Sequence, residues 1–120
     1  MNWLTSDRVQ LLERFLDVAA SRQSLVSANI ANVDTPGYHT RDIDFRGELQ
    51  KALQDDDLAP TAPMSREVRG LIARPDGNNV SVDREGLLLS EVQLQFNIAT
   101  QLIKAEFKKL STAIHEGSGS

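Results

Sequence analysis

Two long stretches at opposite ends of the chain read as amphipathic helices, and neither can hide its apolar face alone. No proline or glycine interrupts residues 5 to 33. Thr5 or Ser6 is placed to cap a helix there, with Asp7 favourable against its dipole and Leu4 and Val9 at staple spacing. Apolar residues follow two adjacent seams. One is Leu11, Phe15, Val18 and Leu25; the other is Leu12, Leu16, Ala19, Val26 and Ile30. Together they make a wide stripe, with Glu13, Arg14, Asp17, Arg22 and Gln23 on the polar side. Such a helix is roughly 40 Å long at 1.5 Å per residue.

The second stretch runs from 83 to 115. Asp83 is placed to cap it, and Val82 with Leu87 has staple spacing. Its seam is Leu89, Val92, Phe96, Ala99, Ile103, Leu110 and Ala113, with Glu106 out of pattern. Alternating spacings of four and three belong to a helix that packs along another helix. Residues 116 to 120 read as a flexible Gly/Ser tail.

Between the helices the chain turns sharply. In Asp34-Thr35-Pro36-Gly37, Pro36 suits the second position of a type II turn and Gly37 supplies the positive φ of the third. His39 to Phe45 reads as extended chain, and Phe45 to Leu53 as a short helix. Asp55-Asp56-Asp57 and Pro60 to Ser65 read as exposed loop. Asp76-Gly77 is a favoured hairpin pair, and Val80-Ser81-Val82 alternates after it, so a small hairpin is expected around this turn. The fold expected is mainly α: an antiparallel, coiled-coil-like pair of terminal helices, with an irregular or β-hairpin middle over residues 34 to 82. The 120 residues form one unit.

Composition narrows the function. The net charge is -4, against the basic face that nucleic-acid binding needs. With no cysteine, thiolate metal sites and cysteine nucleophiles are excluded. The start, Met1 to Ser6, does not read as a Sec-type signal peptide, so export without a cleaved signal is expected of a chain working outside the cytoplasm. No stretch approaches the ~20 apolar residues of a membrane span. Aromatics are only 5% of the chain, and the middle is polar. Pairing the two helices covers part of each stripe. The rest must meet other subunits, or the termini stay loose until it does.

Asn29-Ile30-Ala31-Asn32-Val33-Asp34-Thr35-Pro36-Gly37-Tyr38 is the most informative run. A helix end followed by a proline-glycine turn explains part of it, but does not require asparagines at 29 and 32. Amides three apart on one helical face can bond the turn that follows and lock the exit direction of the chain. A ligand site is the alternative reading. His39, Asp42 and Asp44 raise a metal site, but their spacing matches no known metal loop, and a solvated or assembly-facing segment is the better reading. Asp76-Gly77-Asn78 lacks the later ligands of a calcium loop. No hydrolase constellation is visible, so no catalytic, cofactor or metal residue is assigned.

Ser27-Ala28-Asn29-Ile30-Ala31-Asn32, followed by Asp34-Thr35-Pro36-Gly37-Tyr38, resembles the N-terminal signature of the flagellar basal-body rod protein family. Arg41-Asp42-Ile43-Asp44-Phe45 resembles its proximal-rod member, as do Asp76 to Val80, Asp83-Arg84-Glu85, Gln93 to Asn97 and Thr100 to Leu102. The likeness covers about residues 10 to 50 and 75 to 114. It implies an assembly motif of Asn29, Asn32, Asp34, Thr35, Pro36, Gly37, Tyr38, Arg41, Asp42 and Asp44. It implies a structural subunit, not an enzyme, stacked helically in the periplasmic rod as part of a torque-carrying shaft. The implied partners are further copies, FliE-type and FlgC-type neighbours and the type III export gate, with no small-molecule substrate. Phe45 and Leu49 match a Phe-x-x-x-hydrophobic element for recognition by that gate; the bland reading is two apolar side chains packing on the helix pair. A FlgC-type axial protein is the nearest rival, and a soluble helical adaptor or export chaperone the rival from another class.

Overall fold

The computed structural model describes residues 3–54 and 62–118. Among these residues, three helices and two short strands follow in the order α1 (Trp3–Ala31), β1 (Arg41–Ile43), α2 (Phe45–Gln54), β2 (Ser65–Glu67) and α3 (Val82–Ser118). The mainly α fold with paired long helices is the one expected. The body is elongated, 72 × 26 × 17 Å. Helices α1 and α3 lie antiparallel, because descending positions on one meet ascending positions on the other. Asn29 bonds Glu85 at 3.2 Å, Arg22 approaches Glu91 at 3.7 Å, and Arg8 approaches Glu106 at 3.6 Å.

The core between them is built from small and β-branched side chains. Val18, Ala19 and Val26 of α1 are buried with Leu88, Val92 and Ala99 of α3. Small residues let the backbones approach closely, and each fully buried valine or leucine contributes about 1.5–3 kcal/mol. Leu12, Leu16, Leu89, Phe96, Ile103 and Leu110 of the expected seam are half-buried. Two details differ from the sequence reading. Ile30 points outward, 37% exposed, because Asn29 takes the inward position beside it. Leu88 goes deeper than Leu89, its neighbour on the seam.

Helix ends also move. α1 already runs through Trp3, so neither Thr5 nor Ser6 caps it. On α3 the cap is Ser81, whose Oγ accepts from Arg84 N at 3.3 Å, and Asp83 sits inside the first turn. That placement still suits an acid near a helix N-terminus. Val82 and Leu87 are both exposed and form no staple; buried Val80 precedes the cap instead. α3 continues through Glu116 and Gly117 to Ser118, where a flexible tail was expected from 116. One glycine in a last turn costs about 1 kcal/mol and does not by itself stop a helix.

The middle carries a small antiparallel sheet, as expected, but at another place than the expected turn. Asp76-Gly77 does make a tight turn, closed by Gly77 N to Arg74 O at 2.8 Å. Its flanks are not strands. The two-stranded antiparallel sheet pairs β1 with β2, Arg41 opposite Glu67 and Ile43 opposite Ser65. α2 is inserted between those strands. Asp44 caps it, its Oδ1 accepting from Gly47 N at 3.2 Å. The loop expected at Asp55-Asp56-Asp57 and the start of the one from Pro60 lie outside the described residues, as do the last two tail positions.

Candidate functional site

The motif residues converge at one end of the helix pair, where α1 ends and α3 begins. After Ala31 the helix tightens: Val33 N donates to Ile30 O and Thr35 N to Asn32 O. Tyr38 N then donates to Thr35 O at 3.2 Å, which closes a turn with Pro36 and Gly37 at its centre. Gly37 has φ +75°, the left-handed value that the third position of a type II turn requires. Pro36, Asp34 and Thr35 lie on the surface.

Asn29 is the centre of the junction and is 1% exposed. Its Nδ2 donates to Arg41 O at 2.9 Å and to Glu85 Oε2 at 3.2 Å. Its Oδ1 accepts from Tyr38 OH at 2.9 Å and from Arg41 N at 3.2 Å. A side-chain amide has two donor hydrogens and two acceptor lone pairs, so its capacity is filled. Through one residue, α1 is tied to the turn, to β1 and to α3. Asn32 acts more locally: its Nδ2 donates to Ala28 O, and its Oδ1 accepts from Thr35 Oγ1.

A second turn backs the first. Gly37 N donates to Asp76 O at 2.9 Å. Gly77 has φ +87°, and a Cβ added there would stand 3.3 Å from Gly37 Cα. Asn78 is wholly buried and joins the two turns. Its Nδ2 donates to Asn32 O and Thr35 O, both at 2.8 Å, and its Oδ1 accepts from Val80 N. Asn79 Oδ1 accepts from Thr40 N at 2.6 Å. Arg74 reaches the carbonyls of Val33 and Val80.

Charges seal the flank. Asp42 accepts a two-pronged bond from Arg22, Nε at 3.1 Å and Nη2 at 3.2 Å, and a further one from Arg84 at 3.1 Å. Arg84 also bonds Glu85 Oε1 at 2.8 Å, which leaves both oxygens of that buried carboxylate partnered. Paired, hydrogen-bonded charges are tolerated inside a protein where lone ones are not. Arg41 turns away from this cluster to bond Ser65. A cleft of about 520 Å³ lies alongside, lined by Asp42, Asp44, Arg66, Glu67, Arg69 and Arg84 among others. Acids and bases alternate on its walls, so it presents no single-sign field to a phosphate or a cation. His39 faces Glu67 at 3.6 Å, and among the described residues no group of His, Cys, Asp and Glu is arranged to hold a metal ion.

Phe45 and Leu49 lie apart from the junction, on α2. The Phe45 ring meets Phe15 of α1 edge to face, centroids 4.9 Å apart. Beside it the buried pair Arg14–Glu48 spans 3.4 Å, and Glu48 also accepts from Met64 N. The bland reading of Phe45, packing on the helix pair, therefore describes its place in the folded chain.

Sequence reasoning missed Arg22, Asn78, Asn79, Arg84 and Glu85 as members of the junction. A signal for Glu85 existed: it continues the α3 seam one turn before Leu88 and Leu89. An acid at a seam position demands a buried partner, and Asn29 is that partner.

Residues 16–39 match the family described as flagella basal body rod protein. The flagellar basal body rod protein FlgB of Escherichia coli K12 is 30% identical over 123 residues, 86% of this chain and 89% of that protein. The Salmonella typhimurium FlgB is 30% identical over 136 residues, 93% of this chain and 99% of its own length. The Borrelia hermsii FlgB is 29% identical over 127 residues, 88% of this chain and 94% of its length.

Proposed function

The chain belongs to the flagellar basal body rod protein family, and we propose that it fills the FlgB place there, as a proximal-rod subunit carrying torque along the drive shaft. It is a structural subunit of the flagellar rod. The observation that carries the finer reading is the extent of the likeness to FlgB proteins, which runs through the junction and both long helices. The junction suits a torque-bearing part. It fixes the angle at which the chain leaves α1 by directional bonds rather than by shape alone, and a filled bond set resists rotation.

The assembly motif is read as the rigid corner of the subunit, with the seam residues holding the shaft of two helices behind it. Further copies and FliE-type and FlgC-type subunits are the proposed neighbours, and the periplasmic stretch of the rod is the proposed location. Export through the type III gate fits Phe45 and Leu49 as a recognition element in the unfolded chain. Packing of Phe45 on Phe15 would then hide part of it once the subunit folds.

The direct test is to purify basal bodies from cells carrying a tagged copy and to locate the tag. The reading expects it in the rod fraction, next to the membrane ring, with loss of rods when the gene is deleted. A protein that stays in the cytoplasm bound to export substrates would overturn it in favour of an adaptor.

A further inference from the structure

Among the described residues, pairing α1 with α3 leaves a long apolar stripe of α3 uncovered. Leu87, Leu94, Ile98 and Leu102 are between 47% and 71% exposed, and Ala105 is exposed beside them. At 3.6 residues per turn these positions share one side of the helix, turned away from the Val92–Ala99 seam. Lys108 and Lys109 continue the stripe toward the C-terminal end, both exposed. No ion pair is found for Lys108 among the described residues, and Lys109 has only the neighbouring Glu106 at 3.7 Å.

The free side of α1 is built differently. Glu13, Asp17, Ala20, Ser24, Ser27 and Ala31 are all exposed and share one side of that helix. The acids stand toward the N-terminal end and the small residues toward the junction. Neither Glu13 nor Asp17 has an ion pair among the described residues. Laid antiparallel, the two stripes match in both shape and charge. With Ser27 opposite Leu94, Ser24 comes opposite Ile98, Ala20 opposite Leu102, and Glu13 opposite Lys109. Large side chains then meet small ones, which allows close approach of the helices. The unpaired acids meet the lysines.

Resting on the rod reading above, we infer that the α3 stripe of one copy docks on the free α1 face of a second copy in this register. Within a single chain Ser24 lies level with about residue 90 of α3, as the Arg22–Glu91 approach fixes. Between chains it lies level with Ile98. The neighbour is therefore displaced along the shaft by about 12 Å. The contact is heterologous: each copy gives α3 to one neighbour and α1 to another. Such contacts do not pair off into a closed dimer; they propagate. A stagger of this kind is what a helical shaft requires.

The chain has no cysteine, so single-cysteine variants report the contact cleanly. Differently tagged Ser24→Cys and Ile98→Cys copies are expressed together, basal bodies are isolated, and the preparation is oxidised. The inference expects a mixed disulfide dimer carrying both tags and little dimer from either variant alone. A Ser27→Cys and Leu94→Cys pair gives the same result one turn along. Glu13→Lys should lower incorporation several-fold, and Lys109→Glu in the same cells should restore it. Dimers of Ile98→Cys alone would overturn the inference in favour of like faces meeting. Absence of any mixed dimer while both variants are present in basal bodies would overturn it while leaving the rod reading intact. Absence of the unmodified chain from basal bodies would remove the rod reading and this inference together.

Discussion

The two ends of the helix pair are held by different physics. At the junction end, Asn29, Thr40, Asn78 and Glu85 are at most 1% exposed, and Val26 and Val80 pack among them. At the far end, none of residues 7–13 of α1 and none of residues 100–117 of α3 is buried. Leu12, Ile103 and Leu110 are only half-buried there, and Arg8–Glu106 spans 3.6 Å with side chains 67% and 12% exposed. A pair with its cation largely in solvent contributes little. Phe107 and Ile114 lie open. The junction is thus closed within one chain, with Thr40 Oγ1 left as a buried polar atom without a bond, whereas residues 7–13 and 100–117 at the far end supply side chains of a core that none of them buries. Shape and direction are set by the monomer; the length of the shaft is finished by assembly.

The sharpest way to break this contrast is to strike the junction at its centre. Asn29→Ala removes four hydrogen bonds and leaves Glu85, Tyr38 and the Arg41 backbone without their buried partner. We expect a loss of roughly 3–5 kcal/mol of monomer stability, since each stranded buried group costs about 1–3 kcal/mol. Chemical denaturation of the purified chain measures it. A loss under 1 kcal/mol would mean the junction is not what holds the monomer.

Next in size is Gly37→Val. A β-branched residue at φ +75° is strained by about 1–3 kcal/mol. Gly37 N also holds Asp76 O, so the strain passes to the second turn. Destabilisation with continued secretion and missing rods is expected. Normal motility would show that the turn does not set the exit direction that assembly uses.

Phe96→Ala should do less to the monomer. Phe96 is half-buried on the α3 seam, beyond the junction. The monomer loss should fall below the roughly 3–5 kcal/mol of a fully buried phenylalanine, while completed rods become few. Monomer melting paired with basal-body counts reads both. A strongly destabilised monomer that still builds rods would place the core at the far end and reverse the comparison.

How much of this the sequence revealed follows the same divide. The helix pair was legible because a four-three apolar spacing is a local pattern that survives in three dimensions. The Pro36-Gly37 turn was legible because φ at Gly37 is set by chemistry within four residues. The strand pairing was not: β1 and β2 have three residues each and are separated by α2, so nothing local specifies that Arg41 meets Glu67. Asp76-Gly77 makes the turn its residues demand, but its flanks share only the Arg74 N to Asn78 O bond across it, and Asn78 Nδ2 and Asn79 N bond the Asn32–Thr35 segment and Tyr38 instead of extending a ladder. Asn29 could be singled out from sequence, whereas its partner Glu85 could not without knowing that the two helix ends meet.

Amide hydrogen exchange on the dilute, isolated chain tests the central claim most directly. The account predicts a gradient along each long helix. Residues 22–31 and 82–92, beside the junction, should be strongly protected, and residues 7–13 and 103–117 should exchange close to the rate of an open chain. Assembly into rods should then raise the far end to the level of the junction. Equal, strong protection of both ends in the monomer would contradict it, because the helix pair would already be complete without a second copy.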